Sequence, residues 1–402
     1  MTPSGQRLSL CMIVRDEEQR LAGCLAAARP QVDEIVVVDT GSTDRSAEVA
    51  LGFGAKVAHW AWRDDFAAAR NESLRHATGD WILVLDADER IIAEEFTQLH
   101  PLMEQPDVIG IDLWLRSELP PGQPAPSLAA PYCRLFRSLP GVRFTGRIHE
   151  QVAPSLRALG GRIVRSQVEI LHLGYAVPDD AKLARNLRLL ALELEERPDN
   201  AFVLFNLGLT LGAQARWPEA TEALQRALAT RSDPLDPQLR ALAWAKLAEA
   251  ALAQSRWSDA LNASRHAQEG NGKLSLARFA EARARFELGH TRGAEEIFAT
   301  LLQAAPDALG MTLHRHLVAQ ALGIVRLRQG DFAGAADALA LAATDREDGE
   351  TCFLLGNAYL GLRRLNAAAH WYRRAQGAGY RDPKLDKRLG LCETVLRELE
   401  LR

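Results

Sequence analysis

The chain reads as two folds in series: an α/β domain built on a mostly parallel sheet, then an all-α helical solenoid. Three observations predict this. Short β-branched runs alternate with helix-patterned segments as far as residue 175. From residue 179 onward strand patterns vanish, and Ala, Leu, Glu and Arg recur at helical spacing. That second half also resembles itself at a period of roughly 34 residues. The boundaries so drawn are 1–178 for the α/β domain, 179–198 for a linking helix, and 199–402 for about five repeats with a capping helix.

Composition narrows the classes. A chain of 402 residues has room for two or three domains, each with its own core. The net charge of −4 argues against nucleic acid as a partner and against docking on an anionic membrane. Five scattered cysteines without a C-x-x-C pair read as reduced thiols. The expected location is therefore cytoplasmic, with peripheral attachment at the inner face of the membrane as the other placement. Met1 to Leu10 lacks the charged and apolar regions of a signal peptide, and no apolar run approaches transmembrane length.

The N-terminal elements follow in order. Leu8 to Val14 is an apolar strand, followed by Arg15-Asp16-Glu17-Glu18 and a helix with Leu21, Cys24 and Leu25 on one face. Glu34 to Asp39 is the second strand, ending in the turn-and-cap segment Thr40-Gly41-Ser42-Thr43-Asp44. Ser46 begins a helix punctuated by Gly52 and Gly54, and Ala55 to His59 is a third strand. Phe66 to Ala77 is helical, capped by Asp64 or Asp65. Trp81-Ile82-Leu83-Val84-Leu85 is a buried-type strand that runs into Asp86, Asp88 and Glu89.

These polar groups fall at the carboxyl ends of parallel strands, where open α/β sheets bind ligands. Asp86 and Asp88 flank a small Ala87 and can reach one hard cation, which takes carboxylate and phosphate oxygens together. An isolated pair of this kind is equally an acidic turn, and Asp39 and Asp44 are equally helix caps. Neither G-x-G-x-x-G nor a P-loop is present, so phosphates would be held through a metal rather than a glycine-rich loop.

Four blocks in register decide between these readings: Arg15-Asp16-Glu17-Glu18, Val37-Val38-Asp39-Thr40-Gly41-Ser42-Thr43-Asp44, Asp65-Phe66-Ala67-Ala68-Ala69-Arg70-Asn71 and Ala77 to Glu89. In order and spacing they resemble the family 2 glycosyltransferases of the Rossmann-like GT-A fold, over residues 7 to 175. The resemblance implies a nucleotide pocket of Val14, Asp16, Glu17, Asp39, Arg70, Asn71 and Asp86, with Asp39 on the base and Asp86 on the ribose. It implies Mn²⁺ or Mg²⁺ on Asp88 and Asp86, and a nucleoside-diphosphate sugar, expected to be a UDP-sugar, as donor. Relatives more often carry Asn where this chain has Asp16.

Val108 to Leu115 and Pro131 to Arg137 read as further strands, separated by a Pro-rich loop over Leu119 to Pro131. Phe144 to Glu150 ends in a His-Glu pair, and His172 interrupts a final apolar strand, Val168 to Tyr175. A histidine in such a strand is often a core residue, and a His-Glu pair is often a loop ion pair. Bacterial relatives carry a similar His-Glu and His-x-x-Tyr. By that resemblance Glu150 is the candidate general base and His172 a third metal ligand, with His149 second for metal or acceptor. An inverting hexosyl transfer is implied.

In the second half, Leu207-Gly208, Leu247-Ala248, Ala282, Leu322-Gly323 and Leu355-Gly356 each precede an Ala-rich helix. Pro306 follows the third unit, and Lys384 to Leu401 is the capping helix. The pattern resembles tetratricopeptide repeats, which stack helix pairs into a solenoid with a concave face. A peptide or protein partner or acceptor is the expectation, with homodimerisation or buttressing as the alternative. The competing functional classes are a non-catalytic scaffold with a degenerate nucleotide-binding domain and a transferase acting on a cell-envelope saccharide or lipid.

Overall fold

The computed structural model describes residues 5–117, 129–173, 180–270, 274–304 and 313–400. The chain divides into two compact units, one reaching Asn206 and one starting at Leu207.

The first unit alternates strand and helix at the start. Its elements are β1 (Leu8–Val14), α1 (Glu18–Ala28), β2 (Glu34–Asp39), α2 (Ser46–Gly52), β3 (Lys56–His59), α3 (Phe66–His76) and β4 (Trp81–Val84). A short β5 (Glu89–Ile91) follows, then the one-turn helices α4 (Ala93–Phe96) and α5 (His100–Met103). The remainder is β6 (Val108–Ser117), β7 (Ala129–Arg137), α6 (Ala153–Ala158), β8 (Arg162–His172) and α7 (Asp180–Glu196). Among the described residues the strands form one sheet in the order β3-β2-β1-β4-β7-β6-β8-β5. The first four are parallel, as expected, whereas β7 runs antiparallel to both β4 and β6, so the completed sheet is mixed. The Pro-rich segment 118–128 and Tyr175 lie outside the described residues, while Ala129 to Pro131 already belong to β7.

Both faces of the sheet are covered, which is why β1, β2 and β4 read as unbroken apolar runs. Leu10, Met12, Ile35, Val37 and Leu83 pack with Leu21 and Leu25 of α1 on one side. Cys11, Val36, Ile82 and Val84 alternate to the other side, with Ala67 of α3 and Leu156 of α6. Each fully buried Leu or Ile contributes about 1.5–3 kcal/mol. The five cysteines are free thiols.

The second unit is helical among its described residues. After α8 (Ala201–Ala213), which crosses the division, come α9 (Trp217–Ala229), α10 (Pro237–Ala253), α11 (Trp257–Gly270), α12 (Ser275–Glu287) and α13 (Thr291–Leu302). They continue with α14 (Arg315–Gln329), α15 (Phe332–Asp345), α16 (Gly349–Gly361), α17 (Leu365–Gly377) and α18 (Pro383–Glu400). Pro306 lies outside the described residues. The small residues of the repeat are where paired helices touch: a Cβ at Gly208, Gly323 or Gly356 would meet Leu224, Leu339 or Tyr372 at 2.6, 2.4 and 2.4 Å. The turns between paired helices share one backbone feature. Ala215, Ser255, Gly289, Gly330 and Arg363 each hold a positive φ two residues before the next helix.

One buried carboxylate ties the strands at their amino ends. Glu34 opens β2, accepts hydrogen bonds from Ser9 Oγ (2.5 Å), Thr78 N–H (2.7 Å) and Thr78 Oγ1 (3.1 Å), and pairs with Lys56. Burial works against its charge, but these partners win and hold the carboxyl down to about 2. Its folded pKa lies below the unfolded value, so its stabilisation is present above about pH 4.5 and is lost as pH falls toward 2. Glu34→Ala is expected to lower stability by about 2–3 kcal/mol at pH 7. In urea titrations the gap from the wild type should close between pH 4.5 and 2; a gap independent of pH would contradict this assignment.

Candidate active site

The carboxyl ends of β1, β2 and β4 bring the acidic residues to one edge of the sheet. At the end of β1, Val14 is buried, and its carbonyl accepts Thr40 N–H (2.9 Å) and Thr40 Oγ1 (3.0 Å). Asp16 has φ +54, a left-handed conformation that Asp and Asn tolerate better than other side chains. That backbone conformation suits Asp at this position, as it would Asn. Asp16 Oδ1 accepts Thr43 N–H at 2.7 Å, joining the loops after β1 and β2. Glu17 is raised above its ordinary value chiefly by burial, against Arg20, with Asp88 and Asp86 adding to the rise.

Asp39 ends β2. Its Oδ1 accepts Gly41 N–H (3.2 Å) and Ser42 N–H (2.9 Å), and its Oδ2 faces His59 Nδ1 at 3.2 Å. Burial opposes its charge, yet the bonds from Ser42 and Gly41, with His59, bring it below the usual carboxylate range. The cap for α3 is Asp65, whose Oδ1 accepts Ala68 N–H at 2.8 Å, rather than Asp64.

The centre of the site is Arg70. Its position on α3 buries the guanidinium (side chain 5% exposed), which pairs with Asp86 and donates from Nε to Glu150 Oε1 at 3.0 Å. Two candidates far apart in sequence are thereby joined through a third. Asp86 is 40% exposed at the side chain, so it faces both this cation and open space. Burial alone would raise it, but Arg70 and Arg134 hold it well below the carboxylate range.

Arg134 was not among the expected site residues. It lies on β7 and donates to Asp86 Oδ2 (3.2 Å) and Glu89 Oε1 (2.6 Å). The signal for it was a charge inside an apolar strand, two residues before the buried Phe136. Glu89 is 1% exposed and accepts Asp86 N–H at 2.8 Å. Burial pushes its carboxyl up against the pull of Arg134. Together Glu150, Arg70, Asp86, Arg134 and Glu89 form an alternating chain of charge.

Asp88 and His172 meet because β5 pairs antiparallel with β8, in register Glu89 to His172. His172 Nε2 lies 3.3 Å from Asp88 Oδ2. The pairing raises His172, and it lowers Asp88 although burial opposes it. Asp86 faces Arg70 and Arg134 instead, and among the described residues no three His, Cys, Asp or Glu side chains converge as a metal cluster. Asn71 is placed elsewhere too. Its amide accepts Phe144 N–H (2.8 Å) and donates to Phe144 O (3.0 Å), and it lines a cavity of about 440 Å³ with Leu74, Ile82 and Phe136. It thus holds the Phe144 backbone with one donor and one acceptor position of its amide. His149 is exposed, with φ +54.

Comparison with known proteins bears on this geometry. Residues 9–138 match the model of glycosyl transferase family 2, and residues 205–269 and 321–384 match that of the tetratricopeptide repeat. The chain therefore carries a glycosyl transferase family 2 domain followed by tetratricopeptide repeats. A TPR repeat-containing protein of Synechococcus elongatus is 42% identical over 214 residues, 50% of this chain and 51% of that one. The SPbeta prophage-derived glycosyltransferase SunS of Bacillus subtilis is 26% identical over 222 residues, 54% and 52% of the two chains. The chain spans about half the length of these relatives. Among solved structures, a thermophilic TPR protein of Thermus thermophilus matches over 48% of this chain and 99% of its own, at 20% identity and a TM-score of 0.37. Among the described residues no helix is long and apolar enough to cross a membrane.

Removing Arg134 leaves the buried Glu89 without its cation and Asp86 with Arg70 alone. Arg134→Met is expected to lose about 3–5 kcal/mol of stability, and Arg134→Lys less, since one donor can still reach one carboxylate. Denaturant unfolding checks this; a loss below about 1 kcal/mol for Arg134→Met would show the chain of charge to be dispensable.

Proposed function

We propose that the N-terminal domain is an inverting, metal-dependent glycosyltransferase that takes a hexosyl group from a UDP-sugar. The observation that supports this best is the joining of Glu150 to Asp86 through Arg70, beside the Asp88–His172 pair. In this reading the Asp39 carboxylate accepts the imide N–H of uracil, and Asp86 receives the ribose hydroxyls. Asp88 and His172 would hold a divalent cation such as Mn²⁺ or Mg²⁺, which would also engage the donor's diphosphate. Such a cation, when bound, neutralises the charge that builds on the leaving diphosphate. Glu150, with Oε1 held by Arg70, takes the proton from the acceptor as it attacks the anomeric carbon.

The acceptor is proposed to be a peptide or protein brought by the repeat array, since such arrays present extended concave surfaces to polypeptides. The relative SunS is a glycosyltransferase by name, which supports the reaction class.

Calorimetry of the full chain with UDP and Mn²⁺ tests the donor site. Binding is expected with Mn²⁺ and should weaken at least about tenfold in Asp88→Ala with the circular dichroism unchanged. Absence of metal-dependent UDP binding at millimolar nucleotide would overturn the proposal. For the base, Glu150→Gln should lower turnover about 10²–10⁴-fold with donor binding within about twofold; equal losses in both would make Glu150 a binding residue.

A further inference from the structure

We propose that α7, the helix following the sheet, is a positioning element for the Glu150 loop, and that Glu193 is the residue through which it acts. The inference rests on the reading of Glu150 as the base.

The loop from Phe144 to Gln151 has little regular structure of its own. It closes on itself through Thr145 and Gln151, whose backbones exchange hydrogen bonds of 3.0 and 2.9 Å. Between them Gly146 and His149 have φ of +104 and +54. A loop with two left-handed residues needs outside support to keep one shape. Asn71 of α3 holds its first residue, Phe144.

The rest of the support comes from α7. Glu193 is 1% exposed, and its Oε2 accepts the backbone N–H of Arg147 at 2.8 Å. Its other oxygen pairs with Arg197. The approach is close, for a Cβ on Gly146 would lie 3.8 Å from the same Oε2. One turn further on, Glu196 pairs with the Arg147 guanidinium. Earlier on the same helix, Arg188 grips Asp64 through both terminal nitrogens at 2.6 Å, immediately before the cap of α3. Arg147 closes the circuit, since its carbonyl accepts Phe66 N–H, the first residue of α3, at 2.8 Å.

So α7 grips both the Glu150 loop and the start of the helix that carries Arg70. The two groups whose contact aims the base are fixed to one external support. A buried carboxylate on a loop amide is a costly arrangement for a helix that merely ends a domain. It suits one that must set backbone position, because a misplacement near 1 Å costs about 10²-fold in rate.

The test uses the full chain, with hydrogen exchange at residues 144–151 and steady-state kinetics on a UDP-sugar. Glu193→Ala is expected to speed exchange in that segment at least about tenfold. Turnover should fall about 10–100-fold, with the donor KM within about twofold. Glu193→Gln keeps a carbonyl oxygen for the Arg147 amide and should recover most of the turnover. Should Glu193→Ala not fold, Arg188→Ala breaks the outer grip alone, and a smaller rise in exchange at 144–151 is expected. Unchanged exchange at 144–151 in the folded variant, or unchanged turnover, overturns the proposal. A wild-type chain that binds no UDP overturns the donor reading instead, and the exchange measurement still decides whether α7 holds the loop.

Discussion

One buried guanidinium organises the acidic edge of the sheet. Arg70 sits inside the first unit on α3, whose Ala67 packs in the core against the sheet and whose Ala69 is also fully buried. Burying a cation is unfavourable unless anions meet it. Two do, from opposite directions: Asp86 from the end of β4, and Glu150 from a loop far along the chain. Either carboxylate alone would leave the crevice with one wall unanchored. Arg134 repeats the device one step further out and brings Glu89 under the strand end.

The order of events along the chain shows why the strand ends were legible and the connections were not. Unbroken apolar runs and the Asp39 and Asp86-Ala87-Asp88 termini are local patterns, and the sheet places them as such patterns imply. The contacts of Arg134 with Glu89 and of Glu193 with the Arg147 amide lie outside any local window, since each joins elements distant in the chain. Asn71 shows the converse. Its neighbour Arg70 faces the acidic crevice, while Asn71, one position round the helix, binds Phe144 instead. A dipeptide motif on a helix necessarily points its two side chains in different directions. The antiparallel return of β7 was equally invisible, because strand direction leaves no mark in a strand's hydrophobic pattern.

The two units illustrate different ways of specifying a structure. In the first, charges are matched across long sequence distances, so that a single substitution touches several elements at once. In the second, specification is by volume: Gly208, Gly323 and Gly356 leave room for Leu224, Leu339 and Tyr372, and the same fit recurs down the array. The first scheme suits a site where a proton and a leaving group must be placed. The second suits a surface that is extended by adding copies, as the family match over two separate stretches indicates.

The recurring left-handed turn of the array has a mechanical consequence. Glycine fills it in the middle, at Gly289 and Gly330, where positive φ is free of steric penalty. Ala215, Ser255 and Arg363 fill it in the outer hairpins, and each pays about 1–2 kcal/mol for a Cβ in that conformation. By this backbone contribution, resistance to opening is greatest at the centre and falls toward both flanks. A force applied along the array would peel it from its ends, leaving a short central stack as the last part to yield.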